Sequence, residues 1–449
     1  MPTVLNPVRS ASGIAAVTVL TEPFPCPGRC VYCPTDIRAP KSYLVSEPPV
    51  QRALQNGYDP LGQVQERLTA LSGTGHPTDK IELIIKGGTW SSYPQDYQAW
   101  FIRRCFDAAN GVDSETLIQA QMLNETAGSR IIGLTIETRP DWVTPEEIAR
   151  LRAYGVTRVE LGVQILEESV LELTQRDHGV AEVRTATRLL RDAGMKIVYH
   201  WMPNLPGATP ESDAQAFERL FSDSNFRPDQ LKIYPCIVLE NAALHRWWQE
   251  GRYQAYDDET LTRLLIRMKK QVPSYVRIER IVRDIPAPSV KAGTRRNNLR
   301  QDLQQRMKKE GTPCVCIRCR EVRFSPDGDF QLMRQEYDAA GGQEIFLSFE
   351  ETGTNRLAAL LRLRKNSYGT AIVRELHTYG AQMPVGESSE TAVQHRGLGR
   401  RLMAEAERIV FEEWRLNRLA VISGVGVRGY YRKLGYELDG TYMVKEPRE

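Results

Sequence analysis

The sequence lacks the features that would place the protein in a specialised class. No apolar run approaches the length of about 20 residues that a membrane-spanning helix needs, and the opening MPTVLNPVRSASG has no signal-peptide core. There is no low-complexity tract, and the formal net charge is only +3, so the whole chain does not resemble a nucleic-acid binder, although a local basic patch is compatible with one. We therefore expect a cytoplasmic globular protein without a membrane partner.

Cysteine is scarce, with 8 residues in 449, yet six of the eight lie in two tight groups. These groups are the first triplet, Cys26, Cys30 and Cys33 in CPGRCVYCP, and the second triplet, Cys314, Cys316 and Cys319 in CVCIRC. In a reducing compartment such spacing indicates metal or cluster ligands rather than disulfides. Each triplet has one ligand fewer than a closed tetrahedral site requires.

Strand-like and helix-like segments alternate from about residue 14 to 240. The strand-like segments are IAAVTVL (14–20), IELIIKG (81–87), IIGLTIE (131–137), RVELGVQ (158–164), KIVYHWM (196–202) and QLKIYPC (230–236). Between them, TPEEIARLRAYG predicts a helix with Thr144 as N-cap and Gly155 just after its end. The alternation predicts an α/β fold with a parallel sheet, and six units favour a partial (β/α)6 TIM-like barrel over a full eight-fold one.

The character of the sequence changes twice beyond this region. Residues 258–323 are rich in Arg and Lys and contain the second triplet, whereas the segment from 324 onward has several strands followed by a glycine-led helix in HRGLGRRLMAEAERIVFEEW. We predict a barrel domain over 1–257, a basic linker over 258–323 and an α+β domain over 324–449, the last of ordinary domain size.

The first triplet has the spacing CxxxCxxC and directly follows the first predicted strand. Three cysteines leave one iron of a 4Fe-4S cluster free to bind a cofactor. With Tyr32 before the last cysteine, the stretch resembles the signature of radical S-adenosylmethionine enzymes, in which the open iron chelates S-adenosylmethionine and one electron releases a 5′-deoxyadenosyl radical. A zinc knuckle is the alternative, but it needs a fourth Cys or His nearby and residues 34–75 contain neither.

Polar residues or glycines follow the carboxyl ends of the later predicted strands, where barrels of this type place their active sites. These residues are Lys86, Gly87 and Gly88, Glu137 and Arg139, Gln164, His200 and Met202, and Lys232 and Tyr234. Two adjacent glycines permit close backbone approach to a cofactor, although they also suit an ordinary turn. Polar residues at successive strand ends favour a site over a set of surface groups.

The segment QHRGLGRRLM (394–403) matches the Q/RxxGxG/A loop of GCN5-related acetyltransferases. In such a loop, the free N–H groups at a helix N-terminus receive the pyrophosphate of coenzyme A. The predicted coenzyme contacts are Gln394, His395, Arg396, Gly397, Leu398, Gly399 and Arg400. In the closing YYRKLGYE, Tyr430 or Tyr431 resembles the thiol-facing tyrosine of that family; the alternative is that both pack in the core.

A radical domain joined to an acetyltransferase domain resembles one family, the catalytic subunit of Elongator, which modifies the wobble uridine of tRNA. The resemblance runs through YPCIVLENAALHRWWQEGRYQAY, RIVRDIPAPSVKAGTRRNNLR and VISGVGVRGYYRKLGYELDGTYMVK and covers nearly the whole chain. It implies that the deoxyadenosyl radical abstracts hydrogen from the methyl of acetyl-CoA, and that the resulting radical adds to carbon 5 of uridine 34. Hydrolysis from CoA then leaves a 5-carboxymethyl group.

The resemblance also assigns residues and partners. Glu137, Lys232, Tyr430 and Tyr431 are the implied catalytic residues, and the implied S-adenosylmethionine contacts are Lys86, Gly87, Gly88, Glu137 and Gln164. The implied partner is the anticodon stem-loop of tRNA, and we expect no requirement for other Elongator subunits. The basic linker is a reasonable track for the tRNA backbone through Lys291, Arg295, Arg296 and Arg300, although for any one of these a solvated helix face is an equal alternative.

The second triplet, CxCxxC, lies too late in the chain to belong to the cofactor site of the barrel, and it suits a structural zinc closed by a fourth ligand from elsewhere. We predict Cys105 as that ligand, which would attach the linker to the barrel; the alternative is an ordinary buried thiol. Two other functions stay open. One is a protein lysine acetyltransferase with Glu375 as its base, and the other is a non-catalytic tRNA-binding module.

Overall fold

The computed structural model describes residues 13–322, 328–380 and 397–447, and every structural statement below concerns that part of the chain. The strands of its first half are β1 Ala15–Leu20, β2 Lys80–Lys86, β3 Arg130–Thr138, β4 Arg158–Gln164, β5 Lys196–Trp201, β6 Gln230–Ile233, β7 Val238–Leu239, β8 Arg277–Ile281 and β9 Val290–Ala292. Those of its second half are β10 Phe330–Ala339, β11 Gly342–Glu351, β12 Leu357–Lys365, β13 Ala371–Thr378, β14 Leu419–Val421, β15 Glu437–Asp439 and β16 Tyr442–Lys445.

Helices alternate with the strands of the first half and are few in the second. They are α1 Pro48–Gln55, α2 Pro60–Gly73, α3 Gln95–Asn110, α4 Leu117–Asn124, α5 Pro145–Ala153, α6 Glu168–Leu173, α7 Val180–Asp192, α8 Pro210–Ser222, α9 Ala243–Gln249, α10 Asp258–Gln271, α11 Leu299–Lys309, α12 Ile317–Arg320, α13 Leu398–Arg408 and α14 Arg428–Arg432. Helix α5 begins as predicted, because the Thr144 hydroxyl accepts the N–H of Glu147 at 3.2 Å. It also ends as predicted, since Gly155 follows its last turn with φ of 87°.

The first sheet contains seven parallel strands in the order β1-β2-β3-β4-β5-β6-β8. All six predicted strands are present and the predicted α/β fold with a partial barrel is confirmed. The seventh strand, β8, comes from the segment predicted as linker. Its sequence RIERI has a charged residue at three of five positions, and only Ile278 and Ile281 are buried. The segment therefore lacks the apolar run by which the other strands were predicted. Every residue of β4 is buried, as expected for a parallel sheet covered on both faces.

The second sheet has the order β10-β11-β12-β13-β14-β16-β15. Its pairs are antiparallel except that β13 and β14 run parallel, and those two strands pair only over 371–373 and 419–421. Beyond Val373 and Val421 they have no further register pairs, which leaves a wedge between the strand ends. Helix α13 packs against β11, β12 and β13.

A buried ionic network joins the two sheets. Asp229, at the start of β6, accepts two bonds from Arg374 of β13, at 3.0 and 2.5 Å. Glu344 of β11 accepts from the same Arg374 at 2.9 Å and from Arg191 of α7 at 2.9 Å. The side chains of these four residues are fully buried. Breaking one partner of such a network is costly, so the sheets hold a fixed relative position.

Two further contacts support the same joint. A side chain at Gly424 would collide with the backbone of Ile132 in β3, so only glycine lets the second domain approach that closely. Lys196, at the start of β5, pairs with Glu375 of β13 at 3.3 Å. The second sheet therefore meets the barrel at the amino ends of its strands. None of the described helices is long and apolar enough to cross a membrane.

Candidate active site

A single cavity of about 990 Å³ extends from the first triplet, through the barrel, to β13 of the second sheet. Its lining includes all three cysteines at one end and Glu375, His377 and Tyr379 at the other. Sixteen of the lining residues are Lys or Arg and seven are Asp or Glu. The cavity is therefore far more basic than the chain as a whole, and it suits a polyanionic ligand.

The first triplet lies on the loop after β1 and faces this cavity. Cys30 is buried, while Cys26 and Cys33 are half-buried. The loop is tightly folded, because the N–H of Cys33 donates to the carbonyl of Cys30 at 3.1 Å and the N–H of Val31 donates to the carbonyl of Thr174 at 3.1 Å. Cys26 Sγ lies 3.7 Å from the Thr89 hydroxyl. The sequence prediction of three thiols at the carboxyl end of the first strand is consistent with this placement.

The glycine pair after β2 has two different roles. A side chain at Gly87 would collide with the Thr21 hydroxyl of the neighbouring strand, so Gly87 is required by packing. Gly88 lines the cavity with φ of 87°, a conformation that other residues rarely adopt. Of these two glycines, only Gly88 is among the residues that line the cavity.

Gln164 ends β4 in a strained conformation that turns it toward the cavity. Its φ is 70°, which is uncommon outside glycine, and the register between β4 and β5 shifts next to it. The residue is buried and lines the cavity, yet its Oε1 has no hydrogen-bond partner among the described residues. A buried acceptor without a partner indicates a ligand donor at this point.

Glu137 is held by three polar side chains. Tyr43 donates to its carboxylate at 2.7 Å, Lys86 pairs with it at 3.2 Å, and His200 Nδ1 lies at 3.4 Å. Burial by itself raises the pKa of Glu137, but Lys86 and His200 outweigh burial and hold the pKa below its usual value. Glu137 is therefore an ionised carboxylate at the cavity wall.

Glu160, in the middle of β4, is a residue that the sequence analysis missed. Its buried carboxylate binds Lys86, accepts from Lys232 at 2.5 Å and lies 2.7 Å from His200 Nε2. Burial raises its pKa, and Lys232 and Lys86 reverse that effect and bring the pKa well below normal. The available signal was a glutamate flanked by Val159 and Leu161 inside a predicted buried strand.

The glycine-led segment forms the helix α13, and its role in binding a phosphate stays a prediction. Gly397 caps it with φ of 67°, and Leu398 and Arg400 lie in its first turn. A side chain at Gly399 would meet the Tyr430 hydroxyl at 3.3 Å and Thr378 of β13 at 3.6 Å. Gln394, His395 and Arg396 lie outside the described residues. Of the two predicted tyrosines, Tyr430 is at the helix N-terminus and 39% exposed, whereas Tyr431 is 6% exposed and packs against Tyr436.

Strand β13 separates the helix α13 from the cavity. Leu376 and Thr378 lie near Gly399 on the α13 side, whereas Glu375 and His377 line the cavity. The register with β12 shifts at Arg374, so one extra residue bulges out of β13 next to the wedge between β13 and β14.

Comparison with known proteins assigns the chain to a family. A model of the radical SAM superfamily matches residues 25–220 and a model of its C-terminal domain matches residues 228–309. The tRNA uridine(34) acetyltransferase of Dehalococcoides mccartyi is 47% identical over 97% of this chain and 98% of that protein. Human Elongator complex protein 3 is 42% identical over 98% of this chain and 85% of that protein.

A solved structure supports the same assignment. The structure of Methanocaldococcus infernus Elp3, with an N-terminal deletion of residues 1–46, is 40% identical and has a TM-score of 0.86. The match covers 97% of this chain and 100% of that one. The chain belongs to the Elongator protein 3 family.

The second triplet of this family member lies beside the last strand of the first sheet. The three sulfur atoms of Cys314, Cys316 and Cys319 lie within 4.8 Å of one another. Four sulfurs around one zinc stand roughly 3.8 Å apart, given a Zn–S distance of about 2.3 Å. The second triplet therefore fits a single ion, and the described residues contain no other such group of ligand atoms.

The prediction of Cys105 as fourth ligand is wrong. Cys105 is fully buried on α3, which packs against α2, α4 and β3, whereas the second triplet adjoins α12 and β8. The group of ligand atoms that lie within 4.8 Å of one another contains the three sulfurs of the second triplet and does not include the sulfur of Cys105. The open alternative, an ordinary buried thiol, describes Cys105 correctly.

The four basic residues predicted to bind tRNA are already engaged within the protein. Lys291 pairs with Glu240 at 2.8 Å, and Arg300 donates to the carbonyl of Ile278 at 2.9 Å. Arg295 donates to the carbonyl of Val290 and Arg296 binds Asp302. The three arginines nevertheless line the basic cavity, and Lys291 does not.

Glu375 is unsuited to the role of general base that the acetyltransferase alternative requires. Arg362 donates to it at 2.8 Å and Lys196 at 3.3 Å. Burial raises its pKa, but Lys196 and Arg362 outweigh burial and lower the pKa to about 2. A carboxylate with this pKa takes up almost no proton near pH 7. No arrangement in the described residues favours a lysine acetyltransferase.

Proposed function

We propose that the protein modifies carbon 5 of uridine 34 in tRNA, using acetyl-CoA and S-adenosylmethionine to form a 5-carboxymethyl group. The observation that carries this proposal is the single basic cavity that joins the first triplet to the acetyltransferase strand β13. The names of the relatives supply the substrate, since they are tRNA uridine(34) acetyltransferases and Elongator complex proteins. A cytoplasmic location and independence of other subunits stay predictions.

The first triplet would hold a 4Fe-4S cluster whose fourth iron binds S-adenosylmethionine. Gly88 and Gln164 suit this cofactor, because one exposes its backbone to the cavity and the other has a buried oxygen without a partner. Glu137, ionised at the wall of the same cavity, suits a positively charged or hydroxyl-bearing part of the cofactor. When bound, the cluster and S-adenosylmethionine supply a 5′-deoxyadenosyl radical.

The chain itself would orient the reactants. Glu160 fixes Lys86, His200 and Lys232 by direct bonds, so the polar wall of the cavity is preorganised. Lys232 is buried and bound to Glu160, which makes it a positioning residue rather than the catalytic residue of the sequence prediction. A radical must meet its target within van der Waals reach, and a cavity that runs from the first triplet to β13 can bring the reactants together.

Acetyl-CoA would lie along the α13 side of β13. The N-terminus of α13 offers free N–H groups to the pyrophosphate, and the Tyr430 hydroxyl lies next to Gly399. The thioester then reaches the cavity through the wedge between β13 and β14, beside the bulge at Arg374. Tyr431 supports Tyr430 by an edge contact with a ring separation of 5.2 Å.

The tRNA would present uridine 34 as an unstacked base of the anticodon loop. Single-stranded loops allow a base to turn outward into a pocket, whereas a base in a duplex must first be unpaired. The excess of Lys and Arg around the cavity would attract the phosphates on either side of that base. Arg295, Arg296 and Arg300 are the predicted contacts that lie at this surface.

The test uses purified protein reconstituted anaerobically with iron and sulfide. It is given a low-potential reductant, S-adenosylmethionine and acetyl-CoA, with either tRNA or a lysine-containing histone peptide. We expect formation of 5′-deoxyadenosine and of 5-carboxymethyluridine in the reaction that contains tRNA, and neither product in the reaction that contains the peptide. Acetyl transfer to the peptide with no response to tRNA would disprove the proposal. A tRNA with cytidine at position 34 is the matched control and should give no product.

A further inference from the structure

The loop of the first triplet rests on a buried arginine that the proposed function leaves without a role. Arg176 is 6% exposed, and its Nη1 donates to Cys30 Sγ at 3.2 Å. Its Nη2 donates to the carbonyl of Gly162 in β4. A side chain at Gly162 would collide with this Nη2, so the glycine is required for the guanidinium to occupy its place.

A backbone hydrogen bond fixes the segment of Arg176 against the loop of the first triplet. The carbonyl of Thr174, two residues before Arg176, accepts a hydrogen bond from the N–H of Val31 in the middle of that loop. Both ends of the Arg176–Cys30 contact therefore belong to segments that are bonded to each other. The contact is part of a built arrangement rather than the chance position of a long side chain.

The charge of Arg176 has no carboxylate counterpart. Among the described residues no Asp or Glu oxygen lies within 4.0 Å of its guanidinium, and its Nε has no hydrogen-bond partner. The neighbouring Arg139, by contrast, is bound by Asp141 at 2.8 and 2.9 Å. A buried cation without an anion is costly, so an anion is expected at the sulfur that Arg176 contacts.

We propose that Arg176 is a positioning residue that sets the reduction potential of the cluster on the first triplet. A 4Fe-4S cluster with charge +2 and three thiolates carries one net negative charge, and one added electron makes it two. The electron comes from a low-potential one-electron donor, dithionite in the assay below, and no bond or proton is exchanged. A hydrogen bond to sulfur and a nearby cation both favour the more negative state, so Arg176 makes reduction easier.

This inference rests on the cluster of the proposed function but not on its substrate. The experiment is therefore done without tRNA or acetyl-CoA, and failure to modify tRNA does not affect it. Absence of any cluster in the unaltered protein would instead overturn the proposed function.

The test compares Arg176→Met and Arg176→Lys with Arg152→Met. Arg152 is a matched control, because it is also buried and its contacts, the carbonyls of Val156 and Thr441 and the ring of Tyr442, include no cysteine. Each reconstituted protein is titrated with dithionite while the reduced cluster is followed by electron paramagnetic resonance. Resonance Raman spectra give the Fe–S(Cys) stretching frequency, and iron and sulfide are determined chemically.

We expect Arg176→Met to shift the midpoint to a more negative potential and the Fe–S(Cys) stretch to a higher frequency, at unchanged iron content. Arg176→Lys should show a smaller shift of the same sign, and Arg152→Met should match the unaltered protein. An Arg176→Met protein with a full cluster and both readouts unchanged overturns the inference. If that variant holds no cluster, unchanged readouts in Arg176→Lys overturn it instead.

Discussion

The two cysteine triplets have the same number of thiols but different surroundings. The first lies on a loop at the mouth of a basic cavity, next to a buried acceptor without a partner and to an arginine bonded to sulfur. The second has all three sulfurs within 4.8 Å of one another, beside the last strand of the first sheet. An open, ligand-facing arrangement suits chemistry and a tight one suits structural support, so equal ligand numbers do not imply equal roles.

The largest expected effect comes from breaking the first triplet. Cys30→Ala removes one cluster ligand, so we expect 5′-deoxyadenosine formation to fall to background, because the cluster no longer binds. Circular dichroism and zinc content should be unchanged, since the loop lies outside both sheets. Cys236→Ala is the matched control, a buried thiol that does not line the cavity. Cluster-dependent turnover that survives Cys30→Ala would show that the first triplet is not a cluster site.

Breaking the second triplet should instead reduce stability. Cys316→Ala removes one ligand of the zinc predicted at the second triplet. Structural zinc contributes to the free energy of folding, so we expect the unfolding midpoint to fall by roughly 5 °C or more. Zinc content, measured by mass spectrometry, should fall while iron in the first triplet stays constant. An altered protein with full zinc and an unchanged midpoint would contradict the structural role.

A smaller effect is expected when the wall of the cavity is altered and both triplets are left intact. Glu160→Gln preserves shape but removes the charge that binds Lys86 and Lys232, so we expect the rate of tRNA modification to fall about 10-fold through lost orientation. Iron and zinc contents should not change. Arg334→Gln, which breaks the half-exposed pair with Glu413, is the control and should have little effect. An unchanged rate in Glu160→Gln would mean that the network is only structural.

The smallest effect is expected for Cys105, the thiol that we predicted from the sequence as a fourth ligand of the second triplet. Cys105→Ala should leave zinc content unchanged and lower stability by about 1 kcal/mol, as a small cavity in the core does. Urea unfolding and metal analysis measure the two quantities. Loss of zinc from this variant would restore Cys105 as a ligand and refute the position that the structure gives it.

Local patterns determined much of the fold. The six strands with apolar runs and the caps of α5 were predictable, because backbone bonding and burial impose regular spacing on a sequence. Strand β8 was not predictable, since its charged residues find partners only in the folded protein: Arg277 binds Glu321 at 2.6 Å. Short-range patterns do not record such distant partners.

Site residues divide in the same way. Gln164 and Glu137 were predicted because they end strands, and the ends of parallel strands meet at one rim. Glu160 was missed because a charge inside a buried strand becomes explicable only when Lys86 and Lys232 from other strands are seen to meet it. Arg176 was missed for a similar reason, since 146 residues separate it from Cys30.

The sequence by itself determined the family, the first six strands of the barrel and the presence of three thiols in each triplet, because these depend on residue identity and local spacing. The tertiary structure alone decided which distant groups meet. It placed strand β13 at the far end of the cavity from the first triplet, and it left Cys105 outside the group of sulfur atoms that the second triplet forms. Charge pairing and close packing between segments that are distant in the sequence determine these positions, and neither produces a periodic pattern in the sequence.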